Sequence, residues 1–297
     1  MSIAIVFAAI VGLGWSAAPP AAEPACGLQL PRTVQQGQLV RGSARPDARV
    51  RIADRTLRLD PEGRFVFGVG RDQTAVKVFV ATADACMAVL EPTVTRRPWQ
   101  VERVDGLPPK TVDPDPETAR RIAAEAALIK AARTADSAAT DWQAALQWPA
   151  RGRISGVYGS QRVLNGSPKD PHLGLDIAAP TGTLVRAPWA GTVRLVHPDM
   201  VLTGGTLLLD HGHGVSTIFI HLSRIDVRDG QRVQAGDPIA AIGATGRASG
   251  PHLHFQLHWF QEKLDPALLL PTHPSDRSGQ ARMRLAPQRR IATAAAR

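Results

Sequence analysis

The chain has 297 residues, 44% of them hydrophobic and 5% aromatic, with 26 glycines, 24 prolines and a formal net charge of +9. That length supports a substantial core and a second one beside it, and the glycine and proline content excludes a fold of long helices in favour of short strands and turns. The positive charge calls for an anionic partner, but the arginines are scattered or gathered at the C-terminal end without aromatic interleaving, which excludes an organised nucleic-acid face.

Residues Ile3 to Leu13 form an apolar run followed by Ser16-Ala17-Ala18, so residues 1–25 read as a signal peptide or, if uncleaved, an N-terminal membrane anchor. Glu23-Pro24-Ala25 is a poor lipobox for Cys26. The chain has two cysteines, Cys26 and Cys86; in an exported protein the pair predicts a disulfide.

From residue 26 to 104, short alternating segments such as Arg64-Phe-Val-Phe-Gly68 are separated by turn residues, and Asp60-Pro-Glu-Gly63 is a turn with a side-chain acceptor built in. This spacing predicts a small β-sandwich, immunoglobulin-like, acting as a spacer or binding module. Residues 105–147 are a linker containing one helix, Pro116 to about Ser137, with Ile122, Ala126 and Ile129 on one face. Residues 148–271 return to strands and hold eight of the nine histidines. Residues 272–297 carry six arginines and one acid; they are expected to be a disordered basic tail that contacts anionic envelope polymers.

The histidines fall into words. Gly250-Pro-His-Leu-His-Phe-Gln-Leu-His-Trp259, read as a strand, sends His252, His254, Gln256 and His258 to one face and Leu253, Phe255, Leu257 and Trp259 to the other. In Pro171-His-Leu-Gly-Leu-Asp176, Gly174 and Pro171 argue against a helix, and a strand again puts His172 and Asp176 on one face. Two imidazoles and a carboxylate suit zinc, and three protein ligands leave a position open for water, as in catalytic sites. Spacing alone leaves this reading and a merely structural row of imidazoles both open. His211 and His213, flanked by glycines, read as exposed residues of a hairpin tip, and His258 as a groove or surface residue; His197 and His273 carry no role, and Asn165-Gly166 is a plain turn.

Taken together and in order, HLGLDIAAPTGTLVRAPWAGTV, LLLDHGHGVSTIFIHLS and VRDGQRVQAGDPIAAIGATGRASGPHLHF resemble the lysostaphin/LytM-type zinc metallopeptidase family over roughly Gly152 to Phe260. The resemblance implies a mainly β chain whose C-terminal part is an antiparallel-sheet metallopeptidase domain binding one Zn2+. It implies that His172, Asp176 and His254 are the zinc ligands and that His221 and His252 are the catalytic pair. The implied activity is hydrolysis of peptide cross-links in bacterial peptidoglycan by attack of zinc-bound water, with peptidoglycan peptide stems as partner and the periplasm or cell envelope as location. Phe219 stands where tyrosine is frequent, implying a hydroxyl lost from the groove, and Gln256 where glutamate is common. The alternative is a non-catalytic cell-wall regulator that activates a separate amidase; such proteins lack members of the His/Asp/His set, which is complete here. A biotinyl or lipoyl carrier is excluded, because no lysine lies between Lys169 and Lys263.

Overall fold

The computed structural model describes residues 25–104, 115–164, 167, 168 and 170–272. The apolar run at 3–13, linker residues 105–114, the Asn165 turn, His273 and the basic tail lie outside the described residues.

The N-terminal part is built from β1 (Thr33–Gln35), β2 (Leu39–Ser43), β3 (Arg49–Ile52), β4 (Arg55–Thr56), β5 (Arg64–Gly68), β6 (Val78–Ala81), β7 (Met87–Leu90), β8 (Thr93–Thr95) and β9 (Val101–Val104). β4, β3, β6 and β7 form one antiparallel sheet, β2 pairs with β5, and β1 pairs in parallel with β8. The turn before β5 is held by Asp60, whose Oδ1 accepts from the backbone N–H groups of Glu62 and Arg64 at 3.0 and 2.8 Å. Cys26 and Cys86 form a disulfide with their Cα atoms 5.7 Å apart, tying the start of this region to the strand β7.

Helix α1 (Pro116–Ala132) follows. Its N-terminus is set by Asp115, which caps Glu117 N–H and Thr118 N–H, with proline at the first helical position. The helix stops at Ala132, short of Ser137, because Thr134 turns its hydroxyl back onto the Ala131 carbonyl and the Ser137 carbonyl accepts from His213 N–H. Its inward stripe also differs from the expected one: Ala126 is exposed, and Glu125, 8% exposed, faces the protein instead.

The C-terminal part contains β10 (Arg153–Gly156), β11 (Gln161–Leu164), β12 (Ser167–Pro168), β13 (Leu175–Ala178), β14 (Leu184–Arg186), β15 (Gly191–Met200), β16 (Gly204–Gly212), β17 (Val215–Ile225), β18 (Arg232–Val233), β19 (Pro238–Ile242), β20 (His252–Trp259) and β21 (Glu262–Leu264). Ten of these strands make one antiparallel sheet whose spine runs β10-β13-β20-β17-β16-β15-β18, with β14 and β19 attached beside β17 and β21 beside β20. Leu175, Ile177, Phe219, Leu253, Phe255 and Leu257 fill one side, with Phe219 stacked on Phe255 at 5.4 Å.

The two parts are not separate cores. Buried apolar side chains form one cluster from Cys26 to Leu264, because β5 lies against the β20–β21 edge. β9 crosses over to pair in parallel with β11, Arg71 donates to the Gly159 carbonyl, and Arg97 pairs with Asp265 at 2.8 Å.

Candidate metal centre

The period-two alternation of β20 puts His252, His254, Gln256 and His258 on the side of the sheet opposite the main core. β13 runs antiparallel beside it with Asp176 directly opposite His254, and β17 on the other side places Ile220 opposite His254 and Ile218 opposite Gln256. Ile218, Ile220 and Leu208 form a small apolar patch on this face, and α1 lays Ile129 and Ala132 over it. The helix therefore covers part of the face that carries the histidines.

Three donor atoms converge here. His172 Nε2 lies 3.1 Å from Asp176 Oδ1 and 3.0 Å from His254 Nδ1, and His254 Nδ1 lies 2.6 Å from the same carboxylate oxygen. All three residues are buried and form a group with the donor types and spacing a metal ion needs. The backbone makes room for them: a Cβ on Gly156 would meet Asp176 Oδ2 at 2.3 Å, and one on Gly174 would meet the His254 ring at 2.5 Å. The residues present fit a zinc ion.

Two more imidazoles flank the cluster. The rings of His221 and His252 are 4.7 Å apart, and His252 Nε2 is 4.0 Å from Asp176 Oδ1. Simple alternation along β17 would have sent His221 to the core with Phe219. It takes a left-handed backbone conformation, φ +63°, and its ring turns toward His252 and His254 instead.

Hydrogen bonds fix the tautomers of three rings. His172 donates Nδ1–H to the Val157 carbonyl at 2.9 Å, His221 to Thr245 at 2.8 Å and His252 to Gly250 at 2.8 Å, so a neutral ring keeps Nε2 bare in each case. Burial pushes the His221 pKa down to about 4, and burial likewise lowers that of His254. Burial alone would raise Asp176, but its close contacts with the His172 and His254 rings outweigh it and hold the carboxyl well below the usual range.

Three sequence-based expectations need correction. His211 and His213 do sit at a hairpin, but they are 0% and 4% exposed, because residues 137–142 fold over the tip and Trp142 packs 5.3 Å from the His213 ring. His258 is wholly buried, with Arg133 hydrogen-bonded to it at 3.1 Å. Phe219 lies in the core, so a hydroxyl there would be withheld from the groove in any case. Glu125 carries no signal in the sequence; it accepts from Val201 N–H at 2.8 Å and from Arg121 at 2.7 Å, anchoring α1 to the loop after β15.

Comparison with known proteins bears on this geometry. The chain is 43% identical over 89 residues to the peptidoglycan DD-endopeptidase ShyB of Vibrio cholerae, covering 29% of this chain and 20% of ShyB. It is 31% identical over 166 residues to the cell division protein DipM of Caulobacter vibrioides, covering 54% of this chain and 26% of DipM. The chain thus spans about a quarter or less of these relatives' own lengths. The crystal structure of a Pseudomonas aeruginosa protein provisionally assigned to peptidase M23 shares the fold with a TM-score of 0.62 and 29% identity, over 79% of this chain and 93% of that one. The model of peptidase family M23 matches residues 170–266, a segment that holds all five converging histidine and aspartate positions, and the chain therefore carries a domain of this family.

Proposed function

We propose that the protein is an exported zinc-dependent endopeptidase that hydrolyses the peptide cross-links of bacterial peptidoglycan. The observation that carries this reading is the convergence of His172 Nε2, Asp176 Oδ1 and His254 Nδ1 beside the paired rings of His221 and His252. The likeness to a peptidoglycan DD-endopeptidase supports the substrate class, and the Cys26–Cys86 disulfide supports an oxidising compartment such as the periplasm. Among the described residues no helix is long and apolar enough to cross a membrane.

When bound by His172, Asp176 and His254, zinc supplies Lewis acidity toward a scissile carbonyl and makes water a usable nucleophile near neutral pH. The chain's own residues do the rest. His221, kept neutral by burial and oriented by Thr245, offers Nε2 to take up a proton from the attacking water. His252, oriented by the Gly250 carbonyl, stands across from it and, when protonated at Nε2, would hold the developing oxyanion, while His221 would return the proton it took up to the leaving amine. The basic tail, residues 272–297, would add a salt-dependent contact with anionic envelope polymers.

The test is release of soluble muropeptides from purified sacculi, with zinc, with chelator and with His221→Ala, which spares the three ligands. Release that requires both zinc and His221 is expected, and mass spectra of the products name the bond. A wild-type protein with stoichiometric zinc and no release would overturn the peptidase reading in favour of a regulator. Removing Thr272–Arg297 should weaken sacculus binding at low salt; unchanged binding would dismiss the tail contact.

A further inference from the structure

His254 differs from the other histidines of the centre in the nitrogen it turns inward. His172, His221 and His252 keep Nε2 bare by donating Nδ1–H to backbone carbonyls. His254 instead sets Nδ1 against Asp176 and His172, and its Nε2 lies 2.8 Å from the side-chain nitrogen of Gln256. That contact is one end of a chain. Gln256 Oε1 is 2.9 Å from His258 Nε2, and His258 Nδ1 is 3.1 Å from Arg133 Nη1 at the C-terminal end of α1.

Donor and acceptor accounting gives this chain a direction. A guanidinium carries N–H groups and no acceptor, so His258 Nδ1 must accept. The neutral His258 ring then has its hydrogen on Nε2 and donates to Gln256 Oε1. The amide N–H of Gln256 is left pointing at His254 Nε2, which must accept in turn. Arg133 dictates this direction, whichever way round the amide of Gln256 is drawn. The single ring hydrogen of a neutral His254 therefore sits on Nδ1, the nitrogen facing Asp176 and His172.

A metal ion at that cluster needs the lone pair of Nδ1, which moves the ring hydrogen to Nε2 and into the N–H of Gln256. Turning the amide over only moves the conflict along. Its N–H would then face His258 Nε2, whose hydrogen would shift to Nδ1 and meet Arg133. His258 is 0% exposed, so water cannot enter to separate the two donors. Lys263, opposite His258 in the β20–β21 register, brings another donor to this end and no acceptor. With glutamine at 256, the chain satisfies a docked Arg133 or a metal at His254, but not both.

We propose that docking of Arg133 and metal occupancy of the His172–Asp176–His254 cluster oppose each other through Gln256 and His258, which makes Arg133 and Gln256 positioning residues for His254. The inference rests on the metal reading above. The docked arginine is itself incompletely satisfied, since its buried Nε has no hydrogen-bond partner. The coupling is reciprocal: zinc should loosen the end of α1, as release of that end tightens zinc.

The test is zinc affinity of the full chain, measured by competition with a chromophoric chelator. In Arg133→Gln an acceptor replaces the donor, and in Gln256→Glu one carboxylate accepts from His254 and His258 together with Arg133 in place. Each is expected to tighten zinc by roughly 5- to 150-fold. Lys263→Met makes the same change of charge as Arg133→Gln without bringing an acceptor to His258, and should shift affinity far less. In the Gln256→Glu background the gain from Arg133→Gln should vanish, whereas a purely electrostatic effect would add. Hydrogen exchange at the end of α1 should quicken when zinc is added to the wild type. Equal shifts from Arg133→Gln and Lys263→Met, or additive gains in the double variant, would overturn the coupling and leave the metal reading standing. Absence of zinc binding in every variant would overturn both.

Discussion

Gly156 faces Asp176 across the β10–β13 pairing so closely that a methyl group on it would lie 2.3 Å from Oδ2 and 2.9 Å from Cγ of the carboxylate. The pairing is irregular at that point, with a register shift between Ile154 and Gly156, and the shift brings the glycine onto the carboxylate. Asp176 has little freedom to retreat, because it also meets His172 and His254. Gly156→Ala should therefore swing the carboxylate out of the cluster and weaken zinc binding by about 10- to 100-fold, the range seen when groups that orient a ligand are disturbed. Gly250→Ala, where a Cβ meets nothing within 4 Å, is the control. Equal zinc affinities for the two variants would show that Gly156 has no part in placing Asp176.

His211 gives the protein an acid-sensitive element away from that cluster. It is 0% exposed, packs 5.3 Å from the Trp189 ring, and bonds to the Ala190 carbonyl and the Thr217 hydroxyl. Burial pushes its pKa down from 6.5 to about 4. The unfolded chain thus takes up a proton there at a pH where the folded chain does not. Its stabilising effect is complete above pH 6.5 and declines as pH falls toward 4, by about 3 kcal/mol in all. Urea midpoints of the wild type and His211→Gln, compared between pH 7 and 4 with chelator present throughout, should converge as the pH falls. Parallel curves would mean that the folded protein takes up the His211 proton as readily as the unfolded chain does.

Much of this site could be read from residue order. The alternation in His252–Trp259 sets the polar face, and the two-residue period in Leu175–Ala178 puts Asp176 on the same side, so two of the three converging groups follow from strand geometry alone. Pairing across strands was beyond local pattern. No periodicity shows that β9 pairs with β11 rather than with the N-terminal strands, or that residues 137–142 bury the hairpin of His211 and His213. Local alternation misplaces His221, since that of β17 points it into the core and a single left-handed residue reverses this. The role of Glu125 is not legible in the sequence, because a glutamate on a helix is ordinarily solvated, and its partner, a backbone N–H, leaves no trace in side-chain order.

The Cys26–Cys86 disulfide spans a sequence separation of 60. In the chain-entropy view, closing a loop of that size stabilises by about 4 kcal/mol at most. The loop lies wholly in the N-terminal β region, far along the chain from the metal cluster. Cys86→Ala should lower the urea midpoint measurably while zinc affinity stays at the wild-type value. A change in zinc affinity would mean that the continuous core transmits strain from the N-terminal strands to β20, and would revise the view of this region as passive support.

Helix α1 is held more by polar anchors than by its apolar stripe. Only Ile129 and Ala132 meet the Leu208–Ile218–Ile220 patch, whereas Glu125 takes up Val201 N–H, Arg121 reaches the Asp199 carbonyl, and Gln261 donates to the Lys130 carbonyl. Glu125→Ala removes the acceptor and leaves a part-buried N–H unpaired, which costs roughly 1–3 kcal/mol. An exposed helix this thinly packed has little else to resist that loss. Amide exchange in α1 should then quicken by one to two orders of magnitude, following from that cost at about 1.4 kcal/mol per decade, while β16 and β17 beneath it keep wild-type protection. Glu125→Gln retains an acceptor for Val201 and should recover much of the slow exchange. If α1 stays protected in Glu125→Ala and opens in Ile129→Ala, the apolar contact is the true anchor and the polar bonds only trim the helix in place.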